Sequence, residues 1–366
     1  MRKEQITDKE AICLLIIFYI GSSLLLGVGG EAKNDAWISG IVGVILALPM
    51  ILVYARLLSL FPEKSLFDMF DLVFGKVIGK IFTVVYIWYS FHLGALVIRN
   101  FGTFINTVAM PETPLFVPLL CLGIVGILTV RSGLEVMGRM SAYLLPLLLF
   151  IMFSVQLMAI PQLHLNYMKP ILGNGFLPVL KGGFNTFSFP FAESVILIGV
   201  FDGLKNKKSP YKVYLKGTAF AGLFIVIITL RNTLILGGLN SKVYFPAHVA
   251  VSRISIGAFL QRIELAVAVV FILGVFIKCS ICLLTASKGI SKLFNLSDYR
   301  SIVIQLGLLM VYFSFAIYDR IFEMREWAFN VYSYYAFPFQ VIFPLIWLIT
   351  AEIKVRMNKK EISKSM

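Results

Sequence analysis

Charged residues are scarce in this chain of 366 residues, because Asp, Glu, Lys and Arg together make up only 14% of it. A soluble globular protein carries roughly a quarter. Hydrophobic residues make up 59%, and no low-complexity segment, long block of charge or polar linker divides the chain. The composition excludes a soluble globular protein. It predicts an all-α integral membrane protein that forms a single membrane domain over residues 1–366.

Sequence motifs for catalysis and metal binding are also missing. The chain has no Walker sequence, no zinc-type pair of His and Glu, and no set of Ser, His and Asp in a supporting context. Its four cysteines all lie in apolar segments, where a thiol usually packs as a small hydrophobic group. They are Cys13, Cys121, Cys279 and Cys282. We therefore expect no enzyme activity, no cofactor and no metal site.

Long apolar runs are what the chain has instead. A helix of about 20 apolar residues crosses a hydrocarbon core of roughly 30 Å. Ten such runs are present: 10–29, 37–58, 80–109, 115–131, 140–160, 182–203, 213–238, 259–286, 301–319 and 334–355. Ten transmembrane helices leave little chain for a soluble domain.

The net charge of +14 reflects membrane topology rather than binding to nucleic acid. Lys and Arg accumulate in cytoplasmic loops. With the N-terminus inside, the inner segments hold 22 of these residues and the outer segments 8. Both termini are therefore predicted to be cytoplasmic.

The first and the sixth apolar runs are interrupted by residues that are unusual inside lipid. Gly21-Ser22-Ser23 interrupts the first run, and residues 188–193, with Pro190 among them, interrupt the sixth. Interrupted helices at matching places in two halves indicate the substrate site of a membrane transporter fold. Freed backbone amides suit a carboxylate and freed carbonyls suit an ammonium group, so a zwitterion satisfies both.

Dividing the chain in the outer loop 161–181 gives two repeats of five spans, about 9–160 and 181–356, and each repeat begins with an interrupted helix. An odd number of spans inverts one repeat relative to the other, which predicts a LeuT-like five-plus-five inverted repeat with broken helices 1 and 6. The first interruption has a second interpretation. Small residues allow close helix packing, and residues 27–30 can simply end the helix.

Two charged residues inside spans mark candidate functional positions, because a charge at the centre of a membrane helix is costly. Glu193 follows the sixth interruption, where it either accepts a ligand ammonium group or caps the second half-helix. Lys278 lies in the eighth span, where it either replaces a cation or carries a proton, or extends to the membrane surface. Both are candidates for ion or proton coupling.

The positions of other polar and aromatic residues along the spans predict whether they line a cavity or lie at the membrane interface. His92, Leu96 and Arg99 share a helical face of the third span that is predicted to line a cavity. Arg231 is near the outer end of the seventh span and is predicted to extend to the interface. Trp327 and Tyr332 lie near span ends and are predicted to be interfacial anchors.

Five sequence segments carry a resemblance to a known family. They are Asn166–Gly175, Phe187–Glu193, Gln261–Glu264, Gly274–Lys278 and Ser297–Arg300. With these segments the chain resembles the B subunit of bacterial spore germinant receptors, a permease-like family of the amino acid, polyamine and organocation superfamily. The resemblance covers nearly the whole chain.

The resemblance implies a subunit in the inner membrane of the dormant spore that senses a small nutrient, an amino acid or a sugar. It implies partners as well, a larger A subunit and a lipoprotein C subunit. The family's ligand-binding positions carry over to Gly21, Ser22, Ser23, Leu93, Pro190, Lys278 and Cys282. The last two depart from the hydroxyl and aromatic side chains of an amino-acid-sensing relative, which leaves the ligand open.

The predicted function is a nutrient-sensing subunit that binds a ligand, an amino acid, at broken helices 1 and 6 and triggers germination. One alternative is a proton-coupled amino acid permease with Lys278 or Glu193 as the coupling group. Another is a structural or ion-conducting subunit with an unoccupied pocket.

Overall fold

The computed structural model describes residues 4–204, 206, 208–254 and 262–364. Within these ranges the chain is helical and contains no strand. Some residues used above lie outside the described ranges. They are Arg2, Lys3, Lys205 and Lys207 of the charge count, Gln261 of the family resemblance and the start of the eighth predicted span, 259–261.

The described part of the first half forms five helices. They are α1 (Asp8–Leu26), α2 (Ala36–Leu60), α3 (Leu66–Phe104), α4 (Phe116–Ser132) and α5 (Leu134–Ala159). The start of α1 is fixed by a capping box in which Glu10 N–H donates to Thr7 Oγ1 at 3.3 Å and Thr7 N–H donates to the Glu10 carboxylate at 2.8 Å. The Ser65 side chain caps α3 by accepting a hydrogen bond from the Asp68 backbone N–H at 3.1 Å.

The second half contains shorter helices as well as long ones. They are α6 (Leu177–Thr186), α7 (Ser209–Leu236), α8 (Pro246–Val251), α9 (Glu264–Leu293), α10 (Val303–Ala316), α11 (Ile321–Glu326), α12 (Tyr332–Phe337) and α13 (Phe343–Lys364). Wide π-helical turns join α11, α12 and α13 into one segment that covers the tenth predicted run. The ten predicted runs therefore correspond to ten helical segments, with α8 as a short connection.

Six helical segments in the described part of the chain are long and apolar enough to cross a membrane. Large apolar side chains on their outer faces are exposed, such as Ile45 on α2 at 59%, Val77 on α3 at 77% and Phe150 on α5 at 70%. An apolar surface of this extent is unfavourable in water but matches the hydrocarbon of a bilayer. The chain is an integral membrane protein.

Helices at equivalent places in the two halves pack against each other. The second helix of each half meets its counterpart, α2 against α7; the third helices pair as α3 with α9, and the fourth as α4 with α10. This pairing is the contact pattern expected for two repeats related by a twofold axis. The repeat bounds, 9–160 and 181–356, and the single domain over 1–366 remain predictions.

The sixth segment is broken where the sequence predicts. Helix α6 ends at Thr186, and the turn Phe187–Phe191 includes Phe189 with non-helical dihedral angles (φ −128°, ψ 113°). Helical turns of the 3₁₀ type follow over Ala192–Gly199. The predicted interruption at 188–193 is therefore confirmed, and it lies inside the protein, because Ser188, Pro190 and Phe191 are buried.

The first segment is not interrupted at the residues that the sequence predicts. Helix α1 continues through Gly21, Ser22 and Ser23 to Leu26, and the backbone leaves the helix at Gly27, which has a φ of 74°. The small residues serve packing: a Cβ atom on Gly21 would lie 2.6 Å from the backbone of Gly274 on α9. The prediction of a break at Gly21–Ser23 is wrong, since glycine there lets two helices cross closely without unwinding either.

Candidate ligand site

Lys278 of α9 is fully buried and joins three segments of the protein. Its ammonium group donates a hydrogen bond to Ser22 Oγ of α1 at 2.8 Å and forms an ion pair with the carboxylate of Glu193 beyond the sixth break. The same group lies 4.9 Å from the ring centre of Phe18 and 5.0 Å from that of Phe189. Lys278 therefore does not extend to the membrane surface.

Glu193 is held from both of its oxygen atoms. The second oxygen accepts a hydrogen bond from the Tyr332 hydroxyl of α12 at 2.5 Å. Tyr332 shares a hydrogen bond of 3.3 Å with Tyr89 of α3. A buried carboxylate is tolerated when it is paired and hydrogen-bonded in this way. The side chain of Glu193 does not cap a helix, so that interpretation from the sequence is wrong.

The backbone of the sixth break is satisfied by side chains from two other segments. The Ser188 hydroxyl donates to Gln340 Oε1 at 2.9 Å, and Gln340 Nε2 donates to the Ser188 carbonyl oxygen at 2.9 Å. The Tyr54 hydroxyl donates to the carbonyl oxygen atoms of Gln340 at 2.6 Å and Ala192 at 3.3 Å. Non-helical backbone persists at membrane depth when protein groups complete its hydrogen bonds. Hydrogen bonds with Gln340 and Tyr54 thus stabilise the non-helical backbone at the break.

A cavity of about 70 Å³ lies beside the broken segment. Leu93, Phe189, Glu193 and Tyr332 are among the residues on its walls. One water molecule needs about 10–15 Å³ of such space, so the cavity holds several waters or a compact ligand. Its walls combine apolar and aromatic groups with one acidic and one basic residue, Glu193 and Arg325, a composition typical of small-molecule sites.

A vestibule of about 590 Å³ lies next to this cavity on the side where α1 ends. The two spaces share four wall residues, Leu26, Gly27, Arg325 and Phe329. These residues separate the vestibule from the cavity. The end of α1 at Gly27 therefore lies at the entrance to the cavity, although the break expected at Gly21–Ser23 is not formed.

The residues predicted to bind a ligand fall into different environments. Leu93 and Glu193 line the cavity, while Ser22 and Lys278 form the polar cluster behind Glu193. The remaining predicted residues do not line the cavity. Gly21 lies at the helix crossing, the Ser23 hydroxyl donates to the Tyr19 carbonyl oxygen of its own helix at 2.6 Å, and Pro190 and Cys282 are buried in their own segments. Ligand contact by any of the eight stays a prediction.

The face of the third span that lines the cavity overlaps the predicted face only at Leu96. Leu93, Leu96, Val97 and Asn100 line the cavity. Arg99 instead donates to the carbonyl oxygen of Phe315 at 2.8 Å, near the end of α10. A polar stripe does not reveal whether its partner is a ligand or the exposed carbonyl groups of a neighbouring helix.

His92 also lies outside the cavity wall and packs in an aromatic cluster. Its ring stacks on Trp88 with a centroid distance of 5.3 Å and meets the edges of Trp327 and Tyr335 at 5.7 and 5.1 Å. Trp327 in turn lines the cavity. The prediction that His92 and Arg99 line a cavity is therefore wrong, although Leu96 of the same predicted face does line it.

Two further predictions from position along a span are also wrong. Tyr332 is 5% exposed and holds Glu193, so it is not an interfacial anchor. Arg231 is 7% exposed and donates to Asn232 Oδ1 at 2.7 Å, so it does not extend to the interface. The contact between Tyr332 and Glu193 could not be read from the sequence, because it depends on how α12 packs against the sixth segment, whereas Asn232 directly follows Arg231 on α7. In the described ranges, no three His, Cys, Asp or Glu side chains come together as metal ligands.

The fold and the site together define a membrane protein of the LeuT-like transporter architecture. The structure of MhsT in complex with L-phenylalanine matches with a TM-score of 0.69 over 96% of both chains, at 11% sequence identity. The structure of MHP1, a nucleobase-cation-symport-1 family transporter, closed with bromovinylhydantoin bound, matches with a TM-score of 0.63 over 87% of this chain and 74% of the other. These similarities confirm the predicted fold class.

Within that architecture the chain belongs to the spore germination protein family, whose model matches residues 5–320. It is 30% identical to spore germination protein KB of Bacillus subtilis (strain 168) over 98% of both chains. It is 24% identical to spore germination protein YndE of the same organism over 80% of this chain and 82% of the relative. The family predicted from the sequence is therefore confirmed. It is a family of germination proteins of the permease type.

Proposed function

We propose that this protein is the nutrient-sensing membrane subunit of a spore germinant receptor, and that it binds an amino acid in the cavity beside the sixth break. The observation that supports this most directly is the position of Glu193. Glu193 is one of the residues on the cavity wall, and its buried carboxylate forms the ion pair with Lys278 and the hydrogen bond with Tyr332. A ligand that reaches Glu193 therefore acts on α9, α12 and the broken segment together.

An amino acid fits the chemistry of the cavity walls. A carboxylate accepts hydrogen bonds from an ammonium group. The aromatic ring of Phe189 and the apolar side chains of Leu93 and Leu96 suit an uncharged side chain. The relation to a fold neighbour with L-phenylalanine bound agrees with this ligand class.

The proposed signal is a change in the polar cluster rather than the movement of cargo. Lys278 holds α1 through Ser22 and holds the sixth segment through Glu193. A ligand ammonium group that competes for Glu193 weakens the second of these contacts and changes how the segments are tied. We place this event in the spore inner membrane with both termini cytoplasmic, and we propose that A and C subunits receive the signal.

Filling the cavity tests the proposal. A Leu93→Trp variant replaces a buried cavity wall residue, and Leu128→Trp, a residue of α4 that is 58% exposed, is the matched control. Purified proteins are screened for thermal stabilisation by the twenty standard L-amino acids and by D-glucose, and spores carrying each variant are exposed to the same compounds. We expect at least one amino acid to stabilise the wild type and the control and to trigger germination, and Leu93→Trp to lose both responses. Equal responses in all three would refute the site.

A proton-coupled amino acid permease is the second candidate, and the buried pair of Lys278 and Glu193 favours it. Charged groups inside the membrane part of transporters often carry protons. Uptake of labelled amino acids into proteoliposomes separates the two functions, because accumulation driven by a pH gradient would exclude a pure receptor.

A structural or ion-conducting subunit with an unoccupied pocket is the third candidate. Three substitutions within the proposed site test it, namely Ser22→Trp, Pro190→Ala and Glu193→Gln. The third candidate would be preferred if all three variants left nutrient-triggered germination unchanged.

A further inference from the structure

Arg325 is a cation on the wall between the cavity and the vestibule, and it has no carboxylate partner among the described residues. It lines both spaces, and its guanidinium donates to the carbonyl oxygen of Ser241 at 3.1 Å. The guanidinium lies 5.2 Å from the ring centre of Tyr244 and 5.9 Å from that of Phe329. In the part of the chain that the structure describes, no carboxylate oxygen lies within 4.0 Å of it. Most of its five N–H donors are therefore left for another acceptor.

The two glutamates near Arg325 in α11 form their hydrogen bonds with other residues. Glu323 accepts a hydrogen bond from the Asp319 backbone N–H at 2.9 Å, and Glu326 accepts one from the Asn330 side chain at 2.9 Å. The positive charge of Arg325 is thus not used within its own helix. It is directed to the boundary of the cavity.

Three more hydrogen-bond donors on the cavity wall have no partner in the described residues. They are the hydroxyl groups of Tyr244 and Tyr318 and the ring N–H of Trp327. Tyr318 is only 8% exposed, so bulk water does not satisfy it. Buried polar groups without partners are rare because they lose their hydration without compensation. Four donor side chains on one cavity wall, one of them charged, indicate a ligand that brings acceptors.

We propose that Arg325, together with Tyr244, Tyr318 and Trp327, binds the carboxylate of the ligand. This inference rests on the proposed function and deepens it, because it assigns the two ends of a zwitterion. Glu193 takes the ammonium end, and Arg325 takes the carboxylate end. A guanidinium binds a carboxylate through two parallel N–H bonds, which fixes orientation as well as affinity. The carboxylate is recognised by side chains near the entrance rather than by the small residues Gly21 to Ser23 of α1.

The test compares ligands that differ only in the carboxylate. L-leucine, L-leucinamide and isopentylamine form one such set, and phenylalanine, phenylalaninamide and phenethylamine form a second. Binding to the purified full chain is measured by calorimetry for the wild type, Arg325→Gln, Arg325→Lys and Tyr318→Phe. Arg320→Gln is the matched control, because it removes the same charge from an exposed position outside the cavity.

We expect the amino acid that binds the wild type to bind Arg325→Gln about 10- to 150-fold more weakly, since a hydrogen-bonded charge is lost. Arg325→Lys retains part of the affinity, and Tyr318→Phe loses about 2- to 10-fold for the acid. Amide and amine bind weakly to the wild type and are little affected by Arg325→Gln, and Arg320→Gln behaves as wild type. Acid and amide that bind equally well, or an acid that binds Arg325→Gln normally, would overturn this inference and leave the proposed function standing. Binding of D-glucose alone, or no binding by any amino acid, would overturn both.

Discussion

Replacing Lys278 by Met removes the cation of the buried ion pair and leaves the Glu193 carboxylate in a site that is 0% exposed. Removing one member of a buried pair costs about 3–5 kcal/mol, because the other charge stays buried without compensation. The hydrogen bond from Lys278 to Ser22 is lost as well. We therefore expect Lys278→Met to lower the free energy of unfolding by about 3–5 kcal/mol.

The same helix provides a matched control. Lys292 of α9 also forms ion pairs, with Asp68 at 2.6 Å and with Asp71 at 3.3 Å, but its side chain is 38% exposed, and those of Asp68 and Asp71 are 41% and 31% exposed. A solvent-exposed pair contributes roughly 0–1 kcal/mol. Lys292→Met should therefore cost no more than about 1 kcal/mol, although the change in the side chain is identical.

Unfolding in mixed detergent micelles with increasing SDS measures both variants, and a double-mutant cycle completes the experiment. In the variant with both Lys278→Met and Glu193→Gln, no charge is left unpaired in the cluster. The double variant should therefore cost at least ~2 kcal/mol less than the sum of the two single changes. Additive costs, or a Lys278→Met cost no larger than that of Lys292→Met, would refute the conclusion that the two side chains form a buried ion pair.

Two further predictions concern packing and the hydroxyl partner of the carboxylate. Gly21→Val should lower the free energy of unfolding by about 2–3 kcal/mol, because its Cβ would lie 2.6 Å from the α9 backbone. The control Gly30→Ala meets nothing within 4 Å and should change the free energy of unfolding by less than ~0.5 kcal/mol in the same SDS titration. Similar costs for the two variants would contradict the close helix crossing. Tyr332→Phe leaves one oxygen of Glu193 without its donor and should cost about 1–3 kcal/mol, whereas Tyr334→Phe at a side chain that is 72% exposed should be neutral in thermal melts. A neutral Tyr332→Phe would show that the hydroxyl does not stabilise the carboxylate.

The buried ion pair gives the proposed sensor a simple physical basis. Ser22 belongs to the first half of the chain, and Glu193 and Lys278 belong to the second half. The polar contacts of Lys278 with Ser22 and Glu193 therefore join the two halves. A closed polar cluster stabilises one arrangement of the helices, and any ligand that replaces one partner changes the balance between arrangements. Glu193 is the member of the cluster that is also part of the cavity wall.

The sequence was sufficient for the broken sixth segment because the residues that break it are local. Pro190 removes a backbone donor and cannot continue the helical hydrogen bonds, and the chain around it is otherwise apolar enough to enter a bilayer. The same reasoning failed at Gly21 to Ser23, since glycine and serine allow either a break or a close contact. Gly21 forms a close contact because it packs against Gly274, which lies more than 250 residues further along the chain.

What the sequence determined by itself was the membrane location, the helical segments, the sixth break and the two buried charges, Glu193 and Lys278. These follow from composition and from the cost of placing polar groups in hydrocarbon. Only the tertiary structure decided that the two charges meet, that Tyr332 holds one of them, and that Arg325 faces the cavity. Partners far apart in the chain are brought together by helix packing, and helix packing depends on side-chain shape at every crossing rather than on any local pattern.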